Sequence, residues 1–320
     1  MNGDKLKVAL YWGAACGGCD MAVLDTHEYV LELAAEADLV FWPIAVDGKY
    51  ADLEALPDGA LDATFFSGAV RNAENEDVAH LLRRKSRLLV ALGSCAAFGG
   101  IPGLANAATR EEILERVYLD NPSIEEGNRT VPRTHVPVNG TELELPSFYP
   151  RVWRLSDVVG VDYVVPGCPP TPEQVREALA ALVSNTLPAP GSVLGAGDKA
   201  LCEECRRRKD EKHVARFVRP WEIVPDPEIC LLEQGLPCAG PATRGGCGAR
   251  CPDINQACRG CYGPPPGVLD QGATLVGAWA SMIEAKTAEE AEAAFAGLPD
   301  VLGIAHRFTL PASLLQRSCR

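Results

Sequence analysis

Cysteine is the residue type through which this chain can do chemistry. Its 320 residues include thirteen, and their neighbours and spacing form a pattern. Cys16 and Cys19 stand in Cys-Gly-Gly-Cys, Cys95 follows Gly93-Ser94, and Cys168 lies in Pro-Gly-Cys-Pro-Pro. Between Cys202 and Cys261 eight more appear within sixty residues: Cys202 and Cys205, Cys230 and Cys238, Cys247 and Cys251, Cys258 and Cys261. Cys319 is left over beside the carboxyl end. Clustered thiolates are soft donors that suit zinc or an iron–sulfur cluster. Nothing else in the sequence competes for a chemical role. There is no Ser/His/Asp or paired-carboxylate constellation, and His27, His80, His135, His213 and His306 are scattered.

Disulfides fit poorly, because a disulfide scaffold is a short secreted chain with roughly 8–10% cysteine or more. This chain is long, its cysteine count is odd, and its start offers only Val8 to Trp12 as an apolar run, too short for an export signal. No apolar stretch approaches the roughly 20 residues that span a bilayer. The expected location is therefore a reducing cytoplasm, where clustered cysteines more often mean metal. The sequons at Asn128 and Asn139 then carry no information. Lys and Arg number 30 against 43 Asp and Glu, a net charge of −13. That balance argues against nucleic acid or an anionic membrane as a partner.

The elements that must position the first four thiols can be read from periodicity. Short apolar runs at Leu6 to Trp12, Val40 to Val46, Ala63 to Phe66, Arg87 to Leu92 and Asp162 to Val165 predict five strands. Helical patterns over Ala22 to Ala35, Glu74 to Lys85 and Pro172 to Asn185 alternate with them. A poorly structured insertion is expected over Asp120 to Pro150. The alternation predicts a doubly wound parallel sheet, flavodoxin-like, in which ligands bind beyond the carboxyl ends of the strands. Cys16, Cys19, Cys95 and Cys168 all follow strand ends, so the fold can bring them to one crevice. The alternatives are that Cys95 and Cys168 are buried small hydrophobes and that Cys16 and Cys19 form a redox dithiol. A phosphate loop after the first strand is a further alternative, but such loops use Ser, Thr and backbone N–H groups.

Beyond a Pro/Gly/Ala-rich stretch, 187–200, the composition changes. The expected division is a flavodoxin-like domain over 1–186, that linker, and a Cys-rich domain over 201–320, loop-dominated, ferredoxin-like and ending in a helical tail. The eight-cysteine segment shows hardly any periodic apolar pattern, so it is expected to be held by something other than a hydrophobic core. Eight thiols make two four-ligand sites. Zinc ribbons remain an alternative, although the pair Cys258/Cys261 follows Cys251 in a compact, ferredoxin-like run that favours iron–sulfur.

In Ala15-Cys16-Gly17-Gly18-Cys19, Gly93-Ser94-Cys95-Ala96-Ala97-Phe98-Gly99-Gly100-Ile101-Pro102 and Pro166-Gly167-Cys168-Pro169-Pro170, together with the order of the later eight, the chain resembles the small subunit of nickel–iron hydrogenases. The resemblance runs from the first strand to about Gly263. It implies three 4Fe-4S clusters: a proximal one on Cys16, Cys19, Cys95 and Cys168, a distal one on Cys202, Cys205, Cys230 and Cys238, and a medial one on Cys247, Cys251, Cys258 and Cys261. Membrane-associated relatives carry a histidine and a proline where this chain has Cys202 and Cys251, so the resemblance is nearest to the cytoplasmic, viologen-reducing type.

The function implied is electron transfer as part of a hydrogenase, an oxidoreductase. Its nickel–iron centre is expected only in a partner large subunit, and its electrons go to an accepting subunit of the heterodisulfide-reductase type. The rival is a zinc- or iron–sulfur-stapled scaffold module without redox turnover. Ser67 is expected to cap a turn or to hydrogen-bond a cluster sulfide. Glu203 and Glu204, inside Cys202-x-x-Cys205, are expected to be a solvated pair, or to lower the potential of a cluster beside them or repel an anionic acceptor. Cys319 is expected to be dispensable.

Overall fold

The computed structural model describes residues 5–125, 127, 129–210 and 213–315. Cys319 and Asn128 lie outside the described residues. The strands are β1 (Leu6–Trp12), β2 (Ala37–Phe41), β3 (Leu61–Ser67), β4 (Val70–Asn72), β5 (Ser86–Leu92), β6 (His135–Val138), β7 (Thr141–Glu144), β8 (Phe148–Trp153) and β9 (Tyr163–Val165). The helices are α1 (Gly18–Leu24), α2 (Tyr29–Glu36), α3 (Tyr50–Ala55), α4 (Ala73–Lys85), α5 (Gly93–Phe98), α6 (Arg110–Tyr118), α7 (Pro172–Val183), α8 (Arg250–Asp253), α9 (Gln271–Ala280), α10 (Ala288–Phe295) and α11 (Val301–Ala305). Among the described residues no helix is long and apolar enough to cross a membrane.

Five strands pair in parallel in the order β2-β1-β3-β5-β9. Counted along that sheet alone the order is 2-1-3-4-5, the flavodoxin arrangement. Alternation along β1 shows why the sheet is covered on both sides. Val8 and Leu10 join one core with Ala22, Val23 and Leu33 of the first two helices and Val175 and Leu179 of α7. Ala9 and Tyr11 join the opposite core with Leu53 of α3, Val78 and Leu82 of α4 and Ala96 of α5. Successive side chains point to opposite faces, so a strand buried on both faces reads as a continuous apolar run.

Three sequence expectations change here. The single helix over Ala22 to Ala35 is two, and the first begins at Gly18, which places Cys19 in its opening turn. The second strand lies earlier than Val40 to Val46. Its register is set by pairing Leu6 with Ala37 and Ala9 with Phe41, and Pro43, with no N–H to donate, cannot extend the ladder. The insertion is not structureless: β6 and β7 form a hairpin around Asn139 and Gly140, at φ 51° and 83°. Both residues are left-handed, as a type I′ turn demands, and Asn-Gly is its usual sequence. β8 returns antiparallel to β4.

The larger correction concerns the second half, which has a hydrophobic core of its own. Leu201, Phe217, Leu231, Leu236, Trp279 and Leu298 are all at most 5% exposed and pack together with Cys238 and Cys258. Much of this core comes from the carboxyl-terminal helices, whose apolar faces meet irregular loops. Loops carry no period, so their half of the core leaves no trace in the sequence pattern. Trp279 lies at its centre: it is fully buried, its ring is tilted against that of Phe217 with centroids 6.1 Å apart, and it donates its indole N–H to the Cys238 carbonyl at 3.0 Å.

Trp279→Ala is expected to cost about 3–5 kcal/mol, as large-to-small core substitutions do. Ile254→Ala, at a side chain 73% exposed, should change stability by less than about 0.5 kcal/mol. Thermal unfolding of the two variants separates these outcomes, and equal melting points would mean that the second core carries no stability.

Candidate metal centres

The first quartet is assembled by strand ends. Cys16 sits in the loop between β1 and α1, Cys19 in the first turn of α1, Cys95 in α5 directly after β5, and Cys168 three residues past β9. Cys19 interacts electrostatically with Cys95, Cys168 and Cys16, and Cys168 with Cys16, so the structure brings the four together. Burial is the main reason that Cys19 and Cys168 are raised above the ordinary thiol range and that Cys95 is pushed up to about 12. Two glycines make room. A side chain on Gly93, at φ 81°, would run into the Cys19 sulfur, and one on Gly100, at φ 59°, would sit 2.5 Å from the Cys95 sulfur.

The second quartet lines one small cavity: Cys202, Cys205, Cys230 and Cys238, with Arg207 and Lys209 at its wall. Burial, with Cys238 and Cys230 as neighbours, pushes Cys202 up to about 12. Cys238 is also raised by burial, to about 11, against the backbone N–H groups of Gly240 and Cys258, which donate to its sulfur and favour the thiolate.

The third set is Cys247, Cys251, Cys258 and Cys261. Burial pushes Cys261 up to about 12, with Cys247, Cys168 and Cys251 around it, while the Cys168 N–H donates to its sulfur. Cys247 accepts from the N–H groups of Ala249 and Arg250. Cys258 is raised well above the usual range by burial first and by Cys238 next. The three sets therefore form a series. Cys261 adjoins Cys168 of the first set, and Cys258 adjoins Cys238 of the second.

The loops of the last two sets have little regular structure, and one buried guanidinium ties them. Arg207, 7% exposed, donates to Pro252 O at 2.7 and 3.1 Å, Asp226 O at 2.8 Å, Ile229 O at 3.0 Å and Asn255 Oδ1 at 2.8 Å. Pro252 follows Cys251 and Ile229 precedes Cys230, so one side chain fixes ligand loops of both sets. Sequence reasoning missed it, because an arginine in Arg206-Arg207-Arg208 reads as a solvated charge run.

Asp20 was missed as well. Only 1% exposed beside Cys19, its carboxylate accepts the Trp42 indole N–H at 2.8 Å and the Ser67 hydroxyl at 3.0 Å. The signal available was an acid in the opening turn of α1, between Cys19 and the buried pair Ala22 and Val23. Ser67 also donates toward the Tyr11 carbonyl at 3.2 Å; its hydroxyl is shared between Asp20 and Tyr11 and does not cap a turn. Glu204 is not part of a solvated pair: its carboxylate accepts the Gly248 N–H at 3.1 Å and lies beside Cys247. It braces the loop of the neighbouring set, while Glu203 is exposed.

The donor chemistry fits iron–sulfur binding. The twelve cysteines among the described residues are free thiols that neighbour one another in the three sets above, and backbone N–H groups point at sulfur, as they do around clusters. Among the described residues no three or more His, Cys, Asp or Glu side chains come together as a site for a single metal ion.

Comparison with known proteins adds an independent line. Residues 16–182 match the family model of the NADH ubiquinone oxidoreductase 20 Kd subunit. The chain is 39% identical over 318 residues, 98% of each chain, to the iron-sulfur subunit of the F420-non-reducing hydrogenase of Archaeoglobus profundus. It is 36% identical over 315 residues, again 98% of each, to the corresponding vhu-type F420-non-reducing hydrogenase subunit of Methanocaldococcus jannaschii. Its fold also resembles a chain of the H2-activated [NiFeSe]-hydrogenase of Dm. baculatum, with a TM-score of 0.51 at 21% identity, covering 83% of this chain and 96% of that one.

Two outcomes follow from the site. In the metal-free chain, Cys16 and Cys251, the two exposed thiols among the described residues, should alkylate before Cys19, Cys238 and Cys258. A raised pKa leaves less thiolate at neutral pH, and burial limits access; peptide mass spectrometry reads the order. Arg207→Ala leaves buried carbonyls unpaired at about 1–3 kcal/mol each, and should cost more stability than Arg208→Ala at its exposed neighbour, as thermal unfolding would show.

Proposed function

Because the chain belongs to the family of F420-non-reducing hydrogenase iron-sulfur subunits, whose H2-splitting site lies on another chain, we propose that it conducts electrons from that site to an accepting subunit. The observation that carries the reading is the series of three cysteine quartets, first set to third at Cys168 and Cys261, third to second at Cys258 and Cys238. Electron transfer over protein distances needs such a relay, whereas a scaffold needs only stapled loops.

In this reading Cys16, Cys19, Cys95 and Cys168 hold a proximal 4Fe-4S cluster, Cys247, Cys251, Cys258 and Cys261 a medial one, and Cys202, Cys205, Cys230 and Cys238 a distal one. When bound, each cluster supplies a one-electron redox centre. The chain's own residues do the rest. Thiolates hold the iron, and burial keeps water from the sulfurs. N–H groups from Ile101, Gly240, Cys258, Ala249 and Arg250 stabilise negative charge on them, which favours the reduced state. Asp20 acts in the opposite sense beside Cys19, since a buried carboxylate disfavours added negative charge.

The proximal set, at the carboxyl edge of the sheet, faces the large subunit with its nickel–iron centre. Electrons then pass from residues 1–186, across the 187–200 segment in sequence, to the Cys-rich unit over 201–320 and on to an acceptor of the heterodisulfide-reductase type, in the cytoplasm. The Archaeoglobus relative is itself a hydrogenase iron-sulfur subunit, which supports the hydrogenase part of this reading.

Anaerobically purified protein should be brown and hold about twelve irons and twelve sulfides, four of each per four-cysteine site. A colourless protein with about two zincs would overturn the reading in favour of a stapled scaffold. Cys168→Ala should remove one electron paramagnetic resonance signal and spare the two from the carboxyl-terminal sets. Loss of all three signals would mean that the sets are not separate.

A further inference from the structure

Away from the thiols, a cavity of about 380 Å³ opens over the second core. Its floor includes Trp279, Leu298 and Cys258, and it is bordered by Pro237 and Ala239, the neighbours of Cys238. It therefore lies against the join between the second and third quartets. Its charge runs against that of the whole molecule: in a chain of net charge −13, three arginines, Arg219, Arg259 and Arg307, line it against one acid, Asp300.

These cations outnumber the charge that faces them. Asp300 spends one carboxylate oxygen on the Gly303 N–H at 2.8 Å, capping α11. Among the described residues neither the Arg259 nor the Arg307 guanidinium makes a hydrogen bond or an ion pair. Arg307 is half-buried; burial first, then repulsion from Arg259, disfavour its charge, and Asp300 offsets only part of that. Two such groups facing one cavity call for an anion.

The surroundings extend the site beyond a small anion. Trp221 at the rim is 75% exposed, with the Arg219 guanidinium 4.7 Å from its ring. Val224 and Ile254, 95% and 73% exposed, adjoin the lining residues Pro225 and Asn255. An exposed apolar rim around a cationic pocket is the composition of a protein docking site, in which Trp and Arg anchors dominate the binding energy.

We propose that this cavity receives the electron-accepting subunit, which inserts an acidic segment with an apolar anchor between Arg307 and Trp221. The proposal rests on the electron-transfer reading above. The contact would seat the acceptor beside Cys258 and Cys238, with arginine positions selecting acidic partners through complementary charge.

The test uses the complete complex of the chain with its hydrogenase and accepting subunits. Arg307→Lys supplies an amine, and a zero-length carbodiimide then couples it to any carboxylate in contact. An isopeptide bond to an Asp or Glu of the accepting subunit, mapped by mass spectrometry, is the expected result. Arg307→Glu should slow H2-driven reduction of the native acceptor by about tenfold or more, the effect of losing one interface anchor, while H2-driven reduction of benzyl viologen stays within about twofold.

Coupling only to Asp300 or to the large subunit, an unchanged acceptor rate, or a small anion retained in the cavity each overturns the docking site. If irons and dye reduction are intact in that case, the relay stands and only the docking site falls. If the unaltered complex lacks the irons, the relay itself has failed.

Discussion

The two halves of the molecule meet at Cys261, and the series of thiols depends on that joint. Its carbonyl accepts the Ser94 hydroxyl, its sulfur accepts the Cys168 N–H, and the next residue, Tyr262, donates to Gln174 at 2.7 Å. Ser94, next to Cys95 in the opening turn of α5, and Cys168 belong to the segments that carry the first quartet, so the group that orders one set is bonded to the other. Buried backbone groups must be paired, and here the pairing crosses between cores instead of staying within one. Arg250 with Glu173 at 2.7 Å and the Gly100 N–H on Phe308 O at 3.0 Å reinforce it from either side. Each core packs within itself, so the relation between the sets rests on this joint.

Burial drives the electrostatics of all three sets. A thiol taken out of water resists ionisation, as the raised Cys19, Cys95, Cys202, Cys238, Cys258 and Cys261 show, so metal binding at these positions must displace protons. Backbone N–H groups aimed at sulfur offset part of that cost without adding a mobile charge. Arg207 works differently: its cation is used on carbonyls, so it orders the ligand loops more than it neutralises the ligands. The acidic surface leaves these local arrangements untouched, since exposed charges are screened within about 10 Å at moderate salt.

Most of the first half was legible. β1, β5 and β9 lie close to where the apolar runs put them, because a strand buried on both faces announces itself by composition, and glycines beside each early cysteine marked loops at strand ends. The hairpin over 135–144 was missed although Asn139-Gly140 is a strong local signal, since its strands are too polar to read as strands. The second core was missed for a different reason: irregular loops such as those of Phe217, Leu231 and Leu236 bury apolar residues with no period. Asp20 and Arg207 are charged residues hidden by partners distant in sequence, and no window of local sequence contains Trp42 with Asp20 or Pro252 with Arg207.

By itself the sequence determined the donor chemistry, the parallel sheet and the resemblance to a hydrogenase small subunit, because ligand type, strand periodicity and motif order are local properties of the chain. Only the tertiary structure decided which thiols adjoin which set, that the Cys-rich half rests on a core around Trp279, and that three arginines share one cavity. Each of those is a relation between residues far apart in sequence. It is settled by what must be buried and paired together, which no single segment records.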